Sequence, residues 1–381
     1  MKLNQYNQKI NNLLLLVTVL MIFSSNITKS QNNINAFYIG HSLSDGVIDM
    51  VNSLSLNYPE SNFMFRYQTI PGSPLRWNWQ AKDRNDYQVI NPFYSGFYHP
   101  EYGLRSGNFD VLVLTESVPR YNSIIDDTYQ YADSFFVFAN NYNPNIQIFL
   151  YEVWHCIKSG DPTGCNYDIP SSPWRNRLSD DLEMWESVVD TLNNRYSPNK
   201  PVCLIPAGQA LAVLHDSIQA GAITGINSIN DLFSDDIHLN DIGKYFVACV
   251  HFSMIHGVSP EGLTNQLNNM WGLSYLPPSI EQALAFQKIA WDVANNYPHS
   301  CLKNTSNFKI RNYQDEISIF PNPADDLINI LNKDRIEKLQ IYDIFGQKLI
   351  ETNQTTIDVS KLNRGLYFIK INDKIIKFVK K

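Results

Sequence analysis

The stretch Ala36-Phe37-Tyr38-Ile39-Gly40-His41-Ser42-Leu43-Ser44-Asp45-Gly46 decides how this chain is read. Apolar residues run without alternation into a glycine, then a serine, then polar residues able to open a helix. A continuous apolar run is the pattern of a strand covered on both faces, as in a parallel sheet. The same pattern returns at residues 63–67, 111–115, 146–151 and 202–205. Amphipathic segments at 46–56, 129–141, 180–196, 208–220 and 241–255 read as helices between these strands. Strand and helix in alternation predict an α/β sheet with right-handed crossovers. In such sheets functional groups gather at the carboxyl ends of the strands, and Ser42 follows the first of them.

A second segment gives Ser42 its partners. In Ser234-Asp235-Asp236-Ile237-His238-Leu239 a carboxylate stands three residues before a histidine, ahead of the last of these helices. In a tight turn the carboxylate can accept from the imidazole Nδ1–H, which leaves Nε2 free to take a serine proton. Asp236 is the second candidate for the orienting acid. Alone, Ser42 would read as a helix cap and Asp-x-x-His as a surface turn with Asp241 capping the next helix. Ser44 and Asp45 are equally good caps, however, so Ser42 is available for chemistry. Together the two segments supply a nucleophile, a base and an orienting acid. The Ser42 amide, near a helix start, is suited to stabilise an oxyanion.

Gly40-x-Ser42 after the first strand, with Asp235-x-x-His238 before a long apolar helix, resembles the SGNH/GDSL hydrolase superfamily across residues 34–300. The resemblance implies a flavodoxin-like three-layer α/β/α fold with a parallel sheet and hydrolysis of esters, often acyl groups on carbohydrates or lipids. It places Ser42 as nucleophile and Asp235 and His238 as its acid and base. It also implies an oxyanion-hole glycine, matched here by Gly72 in Thr69-Ile70-Pro71-Gly72-Ser73. The third block departs from the pattern. That family carries an asparagine donor after the third strand, whereas this chain reads Thr115-Glu116-Ser117-Val118-Pro119. An ionised glutamate cannot donate a hydrogen bond. Thr115 or Ser117 can donate through a hydroxyl, with Thr115 the first choice, or the hole uses only backbone N–H groups, and loss of one donor costs about 10²–10³ in rate. Divergent branches of the superfamily resemble this Glu-Ser version.

Residues suited to a substrate groove are Glu116, Arg76, Trp77 and Trp154, with Trp79 and His155 beside them. Rings stack on sugar faces, and arginine suits a carboxylate or sulfate. Their plainer reading is core tryptophan and surface charge, with His155 structural rather than metal-bound.

The chain has 381 residues, 44% hydrophobic and 18% charged, which predicts a folded protein of two domains rather than disorder. A net charge of -7 without a basic block argues against a nucleic-acid partner. Lys2 and Lys9, the apolar run 13–23, and Ser24, Ser25 and Ser30 read as an export signal over residues 1–30. No other run is long enough to cross a membrane, so the mature chain is expected to have no transmembrane segment. Five cysteines fit an oxidising compartment. Cys156 and Cys165, flanking a Gly/Pro loop, are the expected disulfide. Cys203, in an apolar strand, reads as an inert core thiol. Cys249 and Cys301 are a further possible pair that the sequence leaves open.

Beyond residue 302 the character changes. A polar linker, 303–314, leads into strand-like segments at intervals of about ten residues, the pattern of a small Ig-like β-sandwich over 315–381. Ile319-Phe320-Pro321-Asn322-Pro323-Ala324, Ile341-Tyr342-Asp343-Ile344-Phe345-Gly346 and Leu362-Asn363-Arg364-Gly365-Leu366-Tyr367-Phe368, in that order, are similar to the type A sorting domain of type IX secretion. That resemblance implies the type IX machinery as a partner and an extracellular or outer-membrane surface location in a Gram-negative bacterium. The combined expectation is a serine esterase acting on acylated carbohydrate or another small ester, with no metal or organic cofactor required. The missing asparagine motivates an alternative, a non-catalytic carbohydrate-binding protein on a hydrolase fold.

Overall fold

A computed structural model describes residues 32–58, 61–84, 92–117, 122–158, 172–302, 318–320, 324, 326–331, 338–343, 347–371 and 374–381. The expected export signal and the linker lie outside these residues. The chain parts into two units near residue 306.

In the first unit, β1 (Asn32–Gly40), β2 (Ser61–Thr69), β3 (Val111–Thr115), β4 (Gln147–Glu152) and β5 (Cys203–Pro206) form one sheet in the order β2-β1-β3-β4-β5. Every neighbouring pair is parallel. All five residues of β3 are buried, as the unbroken apolar run requires of a central strand. The helices are α1 (Val47–Leu56), α2 (Leu75–Gln80), α3 (Asn122–Tyr142), α4 (Trp174–Asp180), α5 (Leu182–Tyr196), α6 (Ala207–Gln219), α7 (Asp241–His256) and α8 (Ile280–Asn296). They make this a three-layer α/β unit. α7 packs on α1 and α8, while α3 packs on α2 and α5. α7 is buried along most of its length, and its His251 lies against the Tyr38 and Tyr151 rings of the sheet. Burial pushes that imidazole down to about 3, so it serves as a neutral packing group. Phe97 stacks with Trp79 and meets Phe135 and Phe138 of α3 edge-on, so Trp79 belongs to the core.

The disulfide expectation needs correction. Cys203, at the start of β5, is bonded to Cys301, with Cα atoms 5.7 Å apart. It is therefore not an inert thiol, and Cys301 does not pair with Cys249, which is free and buried. The local apolar setting of Cys203 is as read; a partner 98 residues away leaves no local trace. Cys156 is disulfide-bonded, and its expected partner Cys165 lies outside the described residues.

The second unit is all β. β6 (Ser318–Phe320), β7 (Leu327–Leu331) and β10 (Thr356–Asp358) make a three-stranded sheet in the order β10-β7-β6. β8 (Leu339–Tyr342), β9 (Lys348–Thr352), β11 (Gly365–Ile371) and β12 (Lys374–Lys380) make a four-stranded one, ordered β12-β11-β8-β9. The neighbouring strands of each sheet pair antiparallel, and Ala324 bridges Lys380 in parallel. Ile328 and Ile330 from one sheet and Ile341, Ile369 and Phe378 from the other share one small core. Two sheets with alternating inward residues are the sandwich expected from the turn spacing.

Candidate active site

β1 ends at Gly40, and the chain turns sharply into a single 3-10 turn, Ser42–Ser44. Gly40 is sterically required: a Cβ there would come within 2.8 Å of the Thr115 Cβ and 2.9 Å of the Ser44 Oγ. The Gly40 carbonyl is held by three donors, the Ile70 amide at 3.0 Å, the Asn78 Nδ2 at 3.0 Å and the Ser73 hydroxyl at 3.2 Å. Asn78 is in turn fixed by Gln68, whose amide donates to both Asn78 oxygens while its own oxygen accepts from the Phe97 amide. These side chains are buried and mutually satisfied, so the network stiffens the end of β1.

His41, not Ser42, caps the turn. Its Nδ1 accepts from the Leu43 amide at 3.4 Å, and its Nε2–H donates to the Glu116 carbonyl at 3.0 Å. Neither Ser44 nor Asp45 caps α1; Gly46 occupies that position at φ 75° without a side-chain bond. Ser42 is left with its hydroxyl at the open end of the sheet.

Ser234–His238 forms a closed loop. The Ser234 amide donates to the His238 carbonyl at 2.8 Å. Asp235 Oδ1 accepts from the amides of Ile237 at 2.8 Å and His238 at 2.6 Å, and its Oδ2 accepts from His238 Nδ1 at 2.7 Å. With Nδ1 donating, Nε2 is the acceptor, and it lies 2.9 Å from Ser42 Oγ. Burial pushes the Asp235 carboxyl up, but the two amides and the imidazole outweigh it and hold the group below the ordinary carboxylate range. Asp236 contributes only its carbonyl, to the Ile157 amide, so Asp235 is the acid on His238. Asn240, not Asp241, caps α7, accepting from the Ile242 and Gly243 amides.

Three of the other expected site residues, Thr115, Glu116 and Arg76, are engaged otherwise than predicted, whereas Trp154 lines the cavity beside Ser42 and His238. Thr115 is 1% exposed and its hydroxyl meets Ser44 Oγ at 3.3 Å, so it props the nucleophile turn from beneath and is not presented as an oxyanion donor. Glu116 is fully buried and cannot touch substrate. Its Oε1 accepts from the amides of Leu75 at 3.1 Å and Ser117 at 2.7 Å, and its Oε2 from the Thr128 hydroxyl at 2.8 Å. Trp154 is 1% exposed and donates from Nε1 to the Ile237 carbonyl at 2.7 Å, which supports the His238 loop. Arg76 is spent on Asp127 at 2.8 Å. Trp77, by contrast, is open to solvent. Gly72, at φ 66°, follows β2 in an open turn with no atom within 4 Å of where a Cβ would stand. Among the described residues, the amides of Ser42 and Gly72 donate to no other group.

Glu116→Gln is expected to lower unfolding stability by about 2–4 kcal/mol, read by urea denaturation. The amide oxygen can keep the Leu75 and Ser117 amides while the –NH₂ faces the Thr128 hydroxyl, so the loss is that of charge assistance in three buried hydrogen bonds. An unchanged midpoint would show that Glu116 does not anchor the Leu75 turn.

Ser42, Leu43, Trp154, His238, Leu239 and Lys244 line a small cavity with room for about one water-sized group. Sequence reasoning passed over His41, Gln68, Asn78 and Lys244. The only available signal was Asn78 and Gln68 as polar residues within otherwise apolar or aromatic neighbourhoods.

Comparison with known proteins bears on the two units separately. Residues 318–381 match the family model described as a secretion system C-terminal sorting domain. The second unit is a sorting domain. A tail of this type implies contact with the secretion machinery and export or attachment at the outer-membrane surface. No described helix is long and apolar enough to cross a membrane. Ahead of the sorting domain, the fold is similar to the crystal structure of a DUF4886 family protein from Bacteroides uniformis, with 16% identity, a TM-score of 0.52, and coverage of 70% of this chain and 96% of that one. A putative GDSL-like lipase from Parabacteroides merdae aligns at 12% identity and TM-score 0.39, over 60% of this chain and 97% of its own. A carbohydrate esterase family 3 structure from Talaromyces cellulolyticus aligns at 13% identity and TM-score 0.34, over 59% and 100%. No curated protein matches the chain.

Proposed function

We propose that the unit formed by residues 31–302 is a serine ester hydrolase exported by means of its sorting domain, acting on acetyl or other short acyl groups carried by carbohydrate. The observation that carries the reading is the run of contacts Ser42 Oγ, His238 Nε2, His238 Nδ1, Asp235 Oδ2 at 2.9 Å and 2.7 Å. A binding role alone has no use for a serine hydroxyl aimed at an oriented imidazole.

Ser42 Oγ attacks the acyl carbonyl carbon as His238 Nε2 takes its proton. Asp235 holds the ring and stabilises the imidazolium. Charge that develops on the carbonyl oxygen is met by the amides of Ser42 and Gly72, which have no other partner among the described residues. His238 then gives its proton to the departing alcohol, leaving Ser42 acylated. Water, deprotonated by His238, attacks the acyl carbon, releases the carboxylic acid and restores the serine. With Thr115 turned away, the oxyanion site is built from backbone rather than from an asparagine. The small cavity favours a short acyl group, and exposed Trp77 offers a ring for a sugar face.

The direct test is covalent labelling. A fluorophosphonate probe should add one phosphonyl group to Ser42, found by peptide mass analysis, and His238→Ala should slow that labelling severely. Absence of an adduct on folded wild type would sink the proposal.

A further inference from the structure

We infer that Lys244 makes this site selective for esters that carry a carboxylate or similar anion close to the scissile acyl group. The inference rests on the esterase reading above and names the substrate class within it.

Lys244 lies in the first turn of α7, six residues after His238, and lines the same cavity as Ser42 and His238. Its side chain folds across Gly46 at the start of α1. A Cβ at Gly46 would stand 3.1 Å from Lys244 Cδ and 3.4 Å from Nζ, so the missing side chain is what leaves the ammonium its place. Among the described residues Nζ has neither a hydrogen-bond partner nor an ion pair within 4 Å. The cation whose type suggested anion binding from sequence, Arg76, is by contrast already paired through Nη1 with Asp127.

The setting adds to the demand for an anion. Helix N-termini carry partial positive charge, and Lys244 stands near two of them, those of α1 and α7. A lysine in a first turn is electrostatically misplaced unless something negative approaches. Asp45 and Asp49 attract Lys244 from a distance, and Asp241 stands three residues before it in the same turn with its Oδ2 accepting from the Leu276 amide. The first two are also engaged, Asp45 with Thr69 and Asp49 with the Tyr275 hydroxyl, and burial raises both above the ordinary carboxylate range. They therefore answer the lysine only in part. A substrate carboxylate reaching the cavity mouth would complete the pairing and set the ester against Ser42.

The test compares two acetyl esters differing by one charge, 4-acetoxybenzoate and methyl 4-acetoxybenzoate, on the full chain. Lys244→Gln should lower the ratio of kcat/KM for the anionic ester over the neutral one by about fivefold, the upper size of one exposed charge pair. The change should fall mainly on KM, as loss of ground-state binding requires. Lys244→Arg should keep most of the ratio, and 0.5 M salt should pull the wild-type ratio toward that of Lys244→Gln. Should Lys244→Gln fail to fold, the salt response of wild type decides the matter by itself. An unchanged ratio in a folded Lys244→Gln, or equal loss on both esters, overturns the inference and leaves the esterase reading intact; equal loss would mean that Lys244 only balances Asp45 and Asp49. No turnover of either ester by wild type removes the esterase reading and this inference together.

Discussion

Ser42→Ala is expected to reduce kcat/KM on 4-nitrophenyl acetate by about 10⁴ or more, to near the uncatalysed background. The Ser42 hydroxyl makes one hydrogen bond, to His238, so its removal should leave folding unchanged. His238→Ala should cost about as much, and the double variant little more, because the pair acts as a unit. Asp235→Asn should be severe too. Asp235 fixes Nδ1 as the protonated nitrogen, and an amide at that position can offer a donor and stabilise the wrong tautomer. The measurement is initial rate against ester concentration, with circular dichroism to verify the fold. A folded Ser42→Ala that kept a tenth of wild-type activity would rule out Ser42 as the nucleophile.

Loss of the Cys203–Cys301 disulfide should be the largest single blow to stability, about 4–5 kcal/mol for a covalent loop of this length. The bond constrains the unfolded chain far more than it adds contacts to the folded one. Its surroundings are firm without it. Tyr297 donates to Glu186 at 2.6 Å, and His299 lies 3.3 Å from Glu186 and 3.2 Å from Asp190 on α5. Glu186, with Asp190 beside it, raises the His299 pKa. The double variant Cys203→Ala/Cys301→Ser should therefore fold at low temperature but show a urea midpoint well below wild type. A drop of under about 1 kcal/mol would mean that the reduced chain already holds these ends together.

How much was legible follows from the range of each signal. β3, β4 and β5 announced themselves because a buried parallel strand must be apolar at nearly every position, whereas β2, at the edge of the sheet, is buried on alternate residues with Met64 turned to solvent. Ser42 and the Asp235–His238 pair were legible because their chemistry dictates residue type and local spacing. α8 was missed: its face with Ile280 and Leu284 is open to solvent, so the sequence lacks a clean apolar stripe. Glu116 was misread because a carboxylate after a strand looks like a lost donor, whereas its function is set by Leu75 and Thr128, which are distant along the chain. Thr115 has a residue type suited to a site, and only packing shows that it stands behind it. Lys244 was passed over because a lysine in a helix reads as surface charge until the cavity beside it is seen.

The disulfide also decides how the molecule carries mechanical load. Chain between Cys203 and Cys301 holds α6, Asp235, His238, α7 and α8. The shortest covalent path from the tail to the sheet does not run through any of it. Tension applied beyond residue 301, as when the tail is drawn through or held at a membrane, passes across the sulfur–sulfur bond into β5 and on toward the amino terminus. The intervening backbone is slack in that circuit. A chain hauled by its carboxyl end would thus keep Asp235 and His238 unstrained while the tether is taut.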